Sequence, residues 1–433
     1  MTQTHDRSLP HIVVVGAGFA GLTFVRAMPE HAARITVIDR QNHHLFQPLL
    51  YQVATAGLSA VDIAQPVRAI FGARPNFSVL MSEVTGFDLA AKRVCHARGE
   101  LDYDYLVVAA GGVTSYFGHP EWEQFAPGLK TLDDALRIRR QILCSLERAE
   151  TETDAAKRDA AMTIVVIGGG PTGVELAGAF AELVHTVLDK DFDHIDPTQV
   201  RVLLLEGSSR VLATYPPELS ASAQRQLEKL GVVVRTGTRV QAIRAGEVEL
   251  PAGEIIRADN IIWGAGVAAA PVAKMLGAAW DRAGRVLVLP DLSVPDFPEV
   301  FALGDMVSLT DAKGKLVPGV AQGAMQMGAH AAKIITRELR GEKFAPVGRE
   351  PFAYWDKGSM ATIGRSSAVA EISGVKLSGW PAWVAWLAIH LLFLVGFRSK
   401  VSVLLQWTYS YLTFKRGARV ITGVAGGPPA HSA

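Results

Sequence analysis

Short continuous apolar runs, each stopped by a glycine or a carboxylate, recur along this chain. Ile12 to Val15, Ile35 to Ile38 and Tyr105 to Ala109 form one set; Ile164 to Ile167, Val202 to Leu205 and Ile261 to Trp263 form a second. Runs this short, without polar alternation, predict strands buried on both faces, as in a parallel sheet covered by helices. Between the sets, Leu132 to Glu150 places Ile138, Ile142 and Leu146 on one helical face and charges on the other, predicting a packed connector. Val300 to Leu303, ending in Gly304-Asp305, predicts a strand that returns the chain to the first set. The expected architecture is therefore α/β, with βαβ units at about 11–120 and 161–280 and a discontinuous first domain. The domain bounds expected are 1–125 with 290–345, then 126–289, then 346–433.

The pattern changes after residue 378. Gly379 to Phe397 is almost continuously apolar, with Trp380, Trp383, Trp386, His390 and Phe393, and is followed by Arg398 and Lys400. Val401 to Phe414 carries Val403, Trp407, Tyr411 and Phe414 at helical spacing and ends in Lys415, Arg416 and Arg419. The first stretch barely reaches the ~20 residues that span a bilayer, and a proline and an imidazole interrupt it. A pair of amphipathic helices lying in the membrane surface is the favoured expectation, with tryptophans at the headgroups and basic residues toward anionic lipid. A spanning helix, a homodimer interface or a packed helical cap would use the same residue types.

Both sets of runs open with a glycine fingerprint. Gly16-Ala17-Gly18-Phe19-Ala20-Gly21 follows the first run, and Gly168-Gly169-Gly170-Pro171-Thr172-Gly173 follows Ile167. In a G-x-G-x-x-G turn the first glycine makes the bend, the second admits a pyrophosphate to the backbone, and the third lets helix and strand pack closely. Two such turns in one chain imply two bound dinucleotides and electron transfer between them. Asp39, 18 residues past Gly21, stands where a carboxylate meets an adenosine ribose. Glu206 ends the equivalent strand of the second unit after a longer gap, which requires a helix extension or loop around Leu188 to Pro197. It reads either as a ribose ligand that repels a 2′-phosphate, favouring NADH over NADPH, or as a solvated strand-end charge. Arg210 nearby leaves the NADPH question open.

Bulk properties narrow the classes. A chain of 433 residues exceeds one core, so two or three domains are expected, and a net charge of +1 argues against an electrostatic nucleic-acid partner. Cys95 and Cys144 form no C-x-x-C and imply neither a disulfide framework nor a zinc site; both read as small core residues. The polar start, with Asp6 and Arg7, runs directly into the first strand without a secretory leader, which suits a reducing, cytoplasmic-side setting.

Over nearly its whole length the chain resembles the type II NADH dehydrogenases, the single-subunit, non-proton-pumping NADH:quinone oxidoreductases. The resemblance rests on His43-His44-Leu45-Phe46-Gln47-Pro48-Leu49-Leu50-Tyr51-Gln52-Val53-Ala54, on Gly168 to Gly178, on Ala302-Leu303-Gly304-Asp305, and on Ala321-Gln322-Gly323-Ala324-Met325-Gln326. It implies a pyridine nucleotide-disulfide reductase-like flavoprotein fold with FAD in the first nucleotide site and NADH in the second. Gly16, Gly18, Gly21, Asp39 and Asp305 would then hold FAD, and Gly168, Gly170, Gly173 and Glu206 would hold NADH. Val84, Gly111 and Gly266 join the cofactor-binding candidates. Glu175 would lie near nicotinamide and flavin, and Gln322 and Gln326 would face the quinone side of the flavin, Gln322 touching the cofactor as well.

Each role has a plainer counterpart. Glu175 could serve only the helix dipole, Asp305 could cap a helix at Met306, and the two glutamines could form a solvated face. His43 and His44 read as packing or loop residues, with no metal site expected. The resemblance implies hydride transfer from NADH to the flavin, then two electrons to a membrane quinone (ubiquinone or menaquinone). It also implies a lipid surface as partner, a homodimer, and the cytoplasmic face of the cell membrane. A sulfide:quinone oxidoreductase, a soluble-acceptor NADH reductase and a non-catalytic flavin redox sensor are the alternatives. The first would need cysteines beside the flavin.

Overall fold

The computed structural model describes residues 8–342, 348–413 and 417–421; Asp6, Arg7, Phe414, Lys415 and Arg416 lie outside the described residues. The chain opens with strand β1 (His11–Val15), helix α1 (Phe19–Ala27), β2 (Arg34–Asp39), helix α2 (Leu50–Ala54), β3 (Phe77–Met81) and β4 (Tyr105–Val108). Helix α3 (Leu132–Thr151) leads to β5 (Thr163–Ile167), helix α4 (Pro171–Asp191), β6 (Arg201–Leu205), β7 (Val232–Arg235) and β8 (Asn260–Trp263). Strands β9 (Ser293–Val294) and β10 (Phe297–Ala302) precede helix α5 (Ala321–Leu339). Strands β11 (Ser359–Gly364), β12 (Ser367–Ile372) and β13 (Val375–Ser378) then lead into helices α6 (Trp380–Phe393) and α7 (Phe397–Thr413).

Contacts divide the chain into two units. The first comprises Met1–Leu45, Ala64–Val113 and Val267–Asp356; the second comprises Phe46–Ile63, Thr114–Gly266 and Lys357–Ala433.

The first unit is built on a six-stranded sheet in the order β9-β10-β4-β1-β2-β3. Every pairing is parallel except β9 with β10. β1 is buried along its whole length, as its uninterrupted apolar run predicts. β10 returns beside β4, with Val300 opposite Leu106, so the strand expected at Val300 is present and starts at Phe297. Helix α5 packs on α1. Gly328 permits that approach, because a Cβ there would strike the Ala20 carbonyl oxygen.

The second unit carries a four-stranded parallel sheet, β7-β6-β5-β8. Helix α3 starts at a capping box. The Asp134 N–H donates to Thr131 Oγ1 at 3.1 Å, and the Thr131 N–H donates back to Asp134 Oδ2 at 2.8 Å. Its Ile138, Ile142 and Leu146 are buried, so the expected apolar face is the packed one. The antiparallel sheet β11-β12-β13 lies against α4, where a Cβ on Gly178 would collide with the Ile363 carbonyl oxygen. Helix α6 covers β12 through a seam of small residues, Ala368, Ala370 and Ala382.

One expectation needs correction, and the alternative of a spanning helix falls away. Cys95 sits in the strand Arg93–His96 at a half-buried position between buried Val94 and His96, so alternation turns it away from the core. Cys144 in α3 is also half-buried, and both thiols are free. The 14 residues of α6 make a helix of about 21 Å, against a hydrocarbon core of about 30 Å. Among the described residues no helix is long and apolar enough to cross a membrane.

Candidate active site

In the first unit the glycine turn separates two jobs. Gly16 holds φ at +102°, and a Cβ on it would meet the Ala109 carbonyl oxygen; one on Gly21 would meet the Gly16 carbonyl oxygen. Packing demands both. A Cβ on Gly18, by contrast, would meet nothing within 4 Å, and no side chain caps α1. The first N–H groups of α1 therefore open onto free space, the donor arrangement that suits a pyrophosphate. Asp39 is tied to the same turn. The Ala17 N–H donates to its Oδ2 and the Gln41 N–H to its Oδ1, each at 2.7 Å.

Asp305 packs between Gly112 and Gly319, in a short 3-10 turn that no side chain caps. Its capping alternative is thus not realised. Gly111 is left-handed (φ +69°), with room around its Cα. Val84 opens the strand Val84–Asp88, just after Ser82, whose N–H donates to the Asp39 carbonyl at 2.9 Å. His44 is buried, its Nδ1 donating to the Ala17 carbonyl at 2.9 Å and its ring edge-on to Phe19. Burial pushes its pKa down to about 4, so it is a neutral packing residue beside the turn.

Gln322 and Gln326 share a face of α5, both half-buried. The Gln326 amide is engaged at both ends: Nε2 donates to the Trp355 carbonyl and Oε1 accepts from the Trp355 N–H, each at 2.9 Å.

The second unit repeats the turn. Gly168 (φ +109°) is crowded by Ala265, Gly173 by the Gly168 carbonyl oxygen, and Gly266 (φ +78°) by Phe117. Gly170 alone would point a Cβ into open space, and α4 has no side-chain cap. The Gly169 N–H donates to Glu206 Oε2 at 2.5 Å and the Ser208 N–H to Oε1 at 2.6 Å. The long sequence gap closes because α4 runs on to Asp191 and β6 then pairs in register with β5, Leu205 opposite Ile167. Glu206 consequently stands at its turn as Asp39 stands at the other. Arg210 donates to the carbonyls of Tyr215 and Ala213 and so is bound to its own loop.

A cavity in the second unit was not visible in the sequence. Its walls come from α2 and the residues after it (Tyr51, Gln52, Thr55), α4 (Glu175, Ala179), β11 (Thr362 to Gly364), α6 (Trp383, Trp386) and α7 (Trp407, Ser410, Tyr411). The Gly178 contact places β11 so that a backbone hydrogen bond from Thr362 reaches Glu175. Burial outweighs that bond and pushes the Glu175 pKa up to about 8. Burial, with Glu175 facing it, also raises the Tyr51 phenol well above its ordinary value. At neutral pH the cavity thus holds a neutral carboxylic acid and a neutral phenol, both proton carriers. Glu175 is half-buried and lines the cavity. Neither cysteine lines the cavity.

The tryptophans divide. Trp386 and Trp407 are 1% and 6% exposed and line the cavity, whereas Trp380 is 61% exposed. The expectation that this aromatic set serves lipid is therefore corrected for the inward members. Tyr51 and Gln52 stood inside the run that carried the family resemblance, yet nothing in their spacing announced a cavity.

Comparison with known proteins agrees with this construction. Residues 10–328 match the pyridine nucleotide-disulphide oxidoreductase family, and residues 356–416 match the NDH2 C-terminal domain. The type II NADH:quinone oxidoreductase Ndh of Mycobacterium tuberculosis is 43% identical over 423 residues, covering 95% of this chain and 90% of that protein. Demethylphylloquinone reductase NdbB of Synechocystis is 29% identical, covering 92% and 95% respectively. The structure of NDH2 from Plasmodium falciparum in complex with NADH superposes with a TM-score of 0.87 at 19% identity, covering 94% of this chain and 99% of that one, which bears on the fold. The chain belongs to the type II NADH:quinone oxidoreductases, a branch of the pyridine nucleotide-disulphide oxidoreductase family.

Proposed function

We propose that the chain oxidises NADH bound on the second glycine turn, with FAD bound on the first, and reduces a membrane quinone whose headgroup enters the cavity. Gly16, Gly18, Gly21, Asp39, Val84, Gly111, Asp305 and Gln322 would hold FAD; Gly168, Gly170, Gly173, Glu206 and Gly266 would hold NADH. FAD supplies the two-electron chemistry, accepting hydride and passing two electrons on. The Glu206 carboxylate at the turn would repel a 2′-phosphate, and Arg210 is occupied by backbone carbonyls, so NADH is favoured over NADPH. Glu175 keeps a proton on its carboxyl at neutral pH, beside a substrate whose reduction takes up two. Gln322 and Gln326 would face the quinone side of the flavin, with Gln326 also holding the Trp355 backbone.

The observation that carries the quinone reading is the two-sidedness of α6 and α7. Inward, they give Trp386, Trp407 and Tyr411 to the cavity; outward, they leave Trp380, Leu392, Phe397, Leu405 and Leu412 exposed. A lipid-borne substrate needs such a wall, apolar on both sides. Anaerobic stopped flow on the detergent-held holoenzyme tests the whole reading. NADH is expected to bleach the flavin quickly and NADPH slowly, and a short-tailed ubiquinone analogue to restore the colour at once. Bleaching that quinone fails to reverse would overturn the assignment of the acceptor.

Membrane association belongs to the type II enzymes, and the same outward face is our proposed lipid contact. Each large apolar side chain inserted is worth roughly 1.5–3 kcal/mol, against about 1 kcal/mol for a basic residue near anionic lipid. Serine substitutions at Phe397, Leu405 and Leu412 together are thus expected to weaken vesicle binding at least ~100-fold, and Arg398→Glu only about tenfold. Flotation with neutral and anionic vesicles measures both. Unchanged flotation of the triple variant, with sedimentation as a smaller species, would instead make this face the homodimer contact. The cytoplasmic side is proposed because NADH is supplied there and both thiols are free.

A further inference from the structure

Two donors in the cavity wall are left without a use by the fold. Trp386 is 1% exposed, and its indole N–H has no hydrogen-bond partner among the described residues. The ring cannot turn to find one. It is stacked on His390 at 4.1 Å between centroids, His390 Nδ1 is anchored on the Trp386 carbonyl at 2.7 Å, and Trp407 and Tyr51 pack against it. A buried donor left unpaired is costly, and one in a cavity wall is satisfied by whatever acceptor the cavity receives.

The second donor is aimed by a chain of bonds whose direction is fixed at one end. An indole N–H can only donate, and Trp407 donates to Gln52 Oε1 at 2.8 Å. That commits the amide oxygen, so the Gln52 NH₂ faces Tyr51 and donates to its phenol oxygen at 2.8 Å. A phenol that accepts from Gln52 keeps its own proton for another partner, and among the described residues no acceptor takes it.

We infer that the cavity recognises a para-quinone by donation at both carbonyls, the Trp386 N–H to one oxygen and the Tyr51 O–H to the other, with Gln52 and Trp407 as positioning residues. The inference rests on the placement of quinone in this cavity proposed above. It adds a preference for oxidation state. A carbonyl oxygen takes such a donor with nothing left over, whereas a quinol brings a hydroxyl proton that the Trp386 N–H cannot accept. Quinone should therefore bind more tightly than quinol.

Equilibrium dialysis of the oxidised holoenzyme with a short-tailed ubiquinone analogue and its quinol reads this without turnover. Trp386→Phe and Tyr51→Phe keep the aromatic surface and remove one donor each. Each is expected to raise the quinone Kd about 3- to 10-fold, to raise the quinone KM in step, and to shrink the quinone-over-quinol preference. Bound flavin content identifies folded preparations, and Ser410→Trp serves as a plug on the cavity wall. If both donor variants bind quinone as the parent does while Ser410→Trp loses it, the donor inference is overturned and the cavity reading survives. If Ser410→Trp binds quinone normally, the cavity reading fails and the inference with it.

Discussion

Gly18→Val is expected to give a folded chain that purifies almost without FAD, and Gly170→Val a chain that keeps FAD but loses NADH. The reasoning is steric. A side chain at either position meets no protein atom within 4 Å, so folding has little to oppose it. It would, however, fill the space over the first amides of α1 or α4, where charge-assisted hydrogen bonds to a pyrophosphate form. Losing one or two such bonds, at roughly 1.5–3 kcal/mol each, weakens nucleotide binding by about 10- to 10,000-fold. Gly21→Val and Gly173→Val differ in kind, because their side chains strike a backbone carbonyl of the turn and should prevent folding. Flavin absorbance per chain, circular dichroism and the KM for NADH separate the cases. Normal FAD content in folded Gly18→Val would remove the first turn from the flavin site.

Glu175→Gln is expected to cut quinone turnover by about 100- to 10,000-fold, the range general acids usually contribute, and to abolish its dependence on pH near 8. In the parent, turnover should fall as pH rises through about 8, because the carboxyl would then no longer carry a proton to give to the quinone under the proposed mechanism. Stability should follow in the same direction. Burial raises this carboxyl from 4.5 when unfolded to about 8 when folded, so its favourable contribution is complete below pH 4.5. It is lost progressively up to about pH 8, by an amount on the order of a few kcal/mol. Melting the parent and Glu175→Gln at pH 6 and pH 9 should show a larger drop for the parent. A parent turnover profile flat from pH 7 to 9, or full turnover in the variant, would end the proton role.

Much of this was legible along the chain. The runs at Ile12, Ile164 and Val202 became strands because an apolar segment of that length, flanked by glycine or a carboxylate, has few other stable places. Glu206 was harder to read, since its distance from Gly173 in sequence says little about distance in space. Only the length of α4 and the register of β6 on β5 returned it to the turn. Cys95 was misread as core because strand alternation, not residue type, decides which side it occupies. Trp386 was read with the lipid-facing aromatics because tryptophan suits an interior wall and a headgroup layer equally well. Its side was settled by how α6 rotates onto β12.

By itself the sequence determined the two glycine turns, the strands that feed them, the Asp39 carboxylate beside the first and an apolar C-terminal pair of helices. Those features are local: the conformation of a turn or a buried strand depends chiefly on contiguous residues. The tertiary structure alone decided the cavity, whose Tyr51, Glu175, Thr362, Trp386 and Trp407 are scattered over most of the chain. It also decided the raised pKa of Glu175, the direction of the Trp407–Gln52–Tyr51 hydrogen bonds and the unpaired Trp386 donor. Desolvation and hydrogen-bond pairing depend on which groups are brought alongside, and that is a property of packing rather than of any one segment.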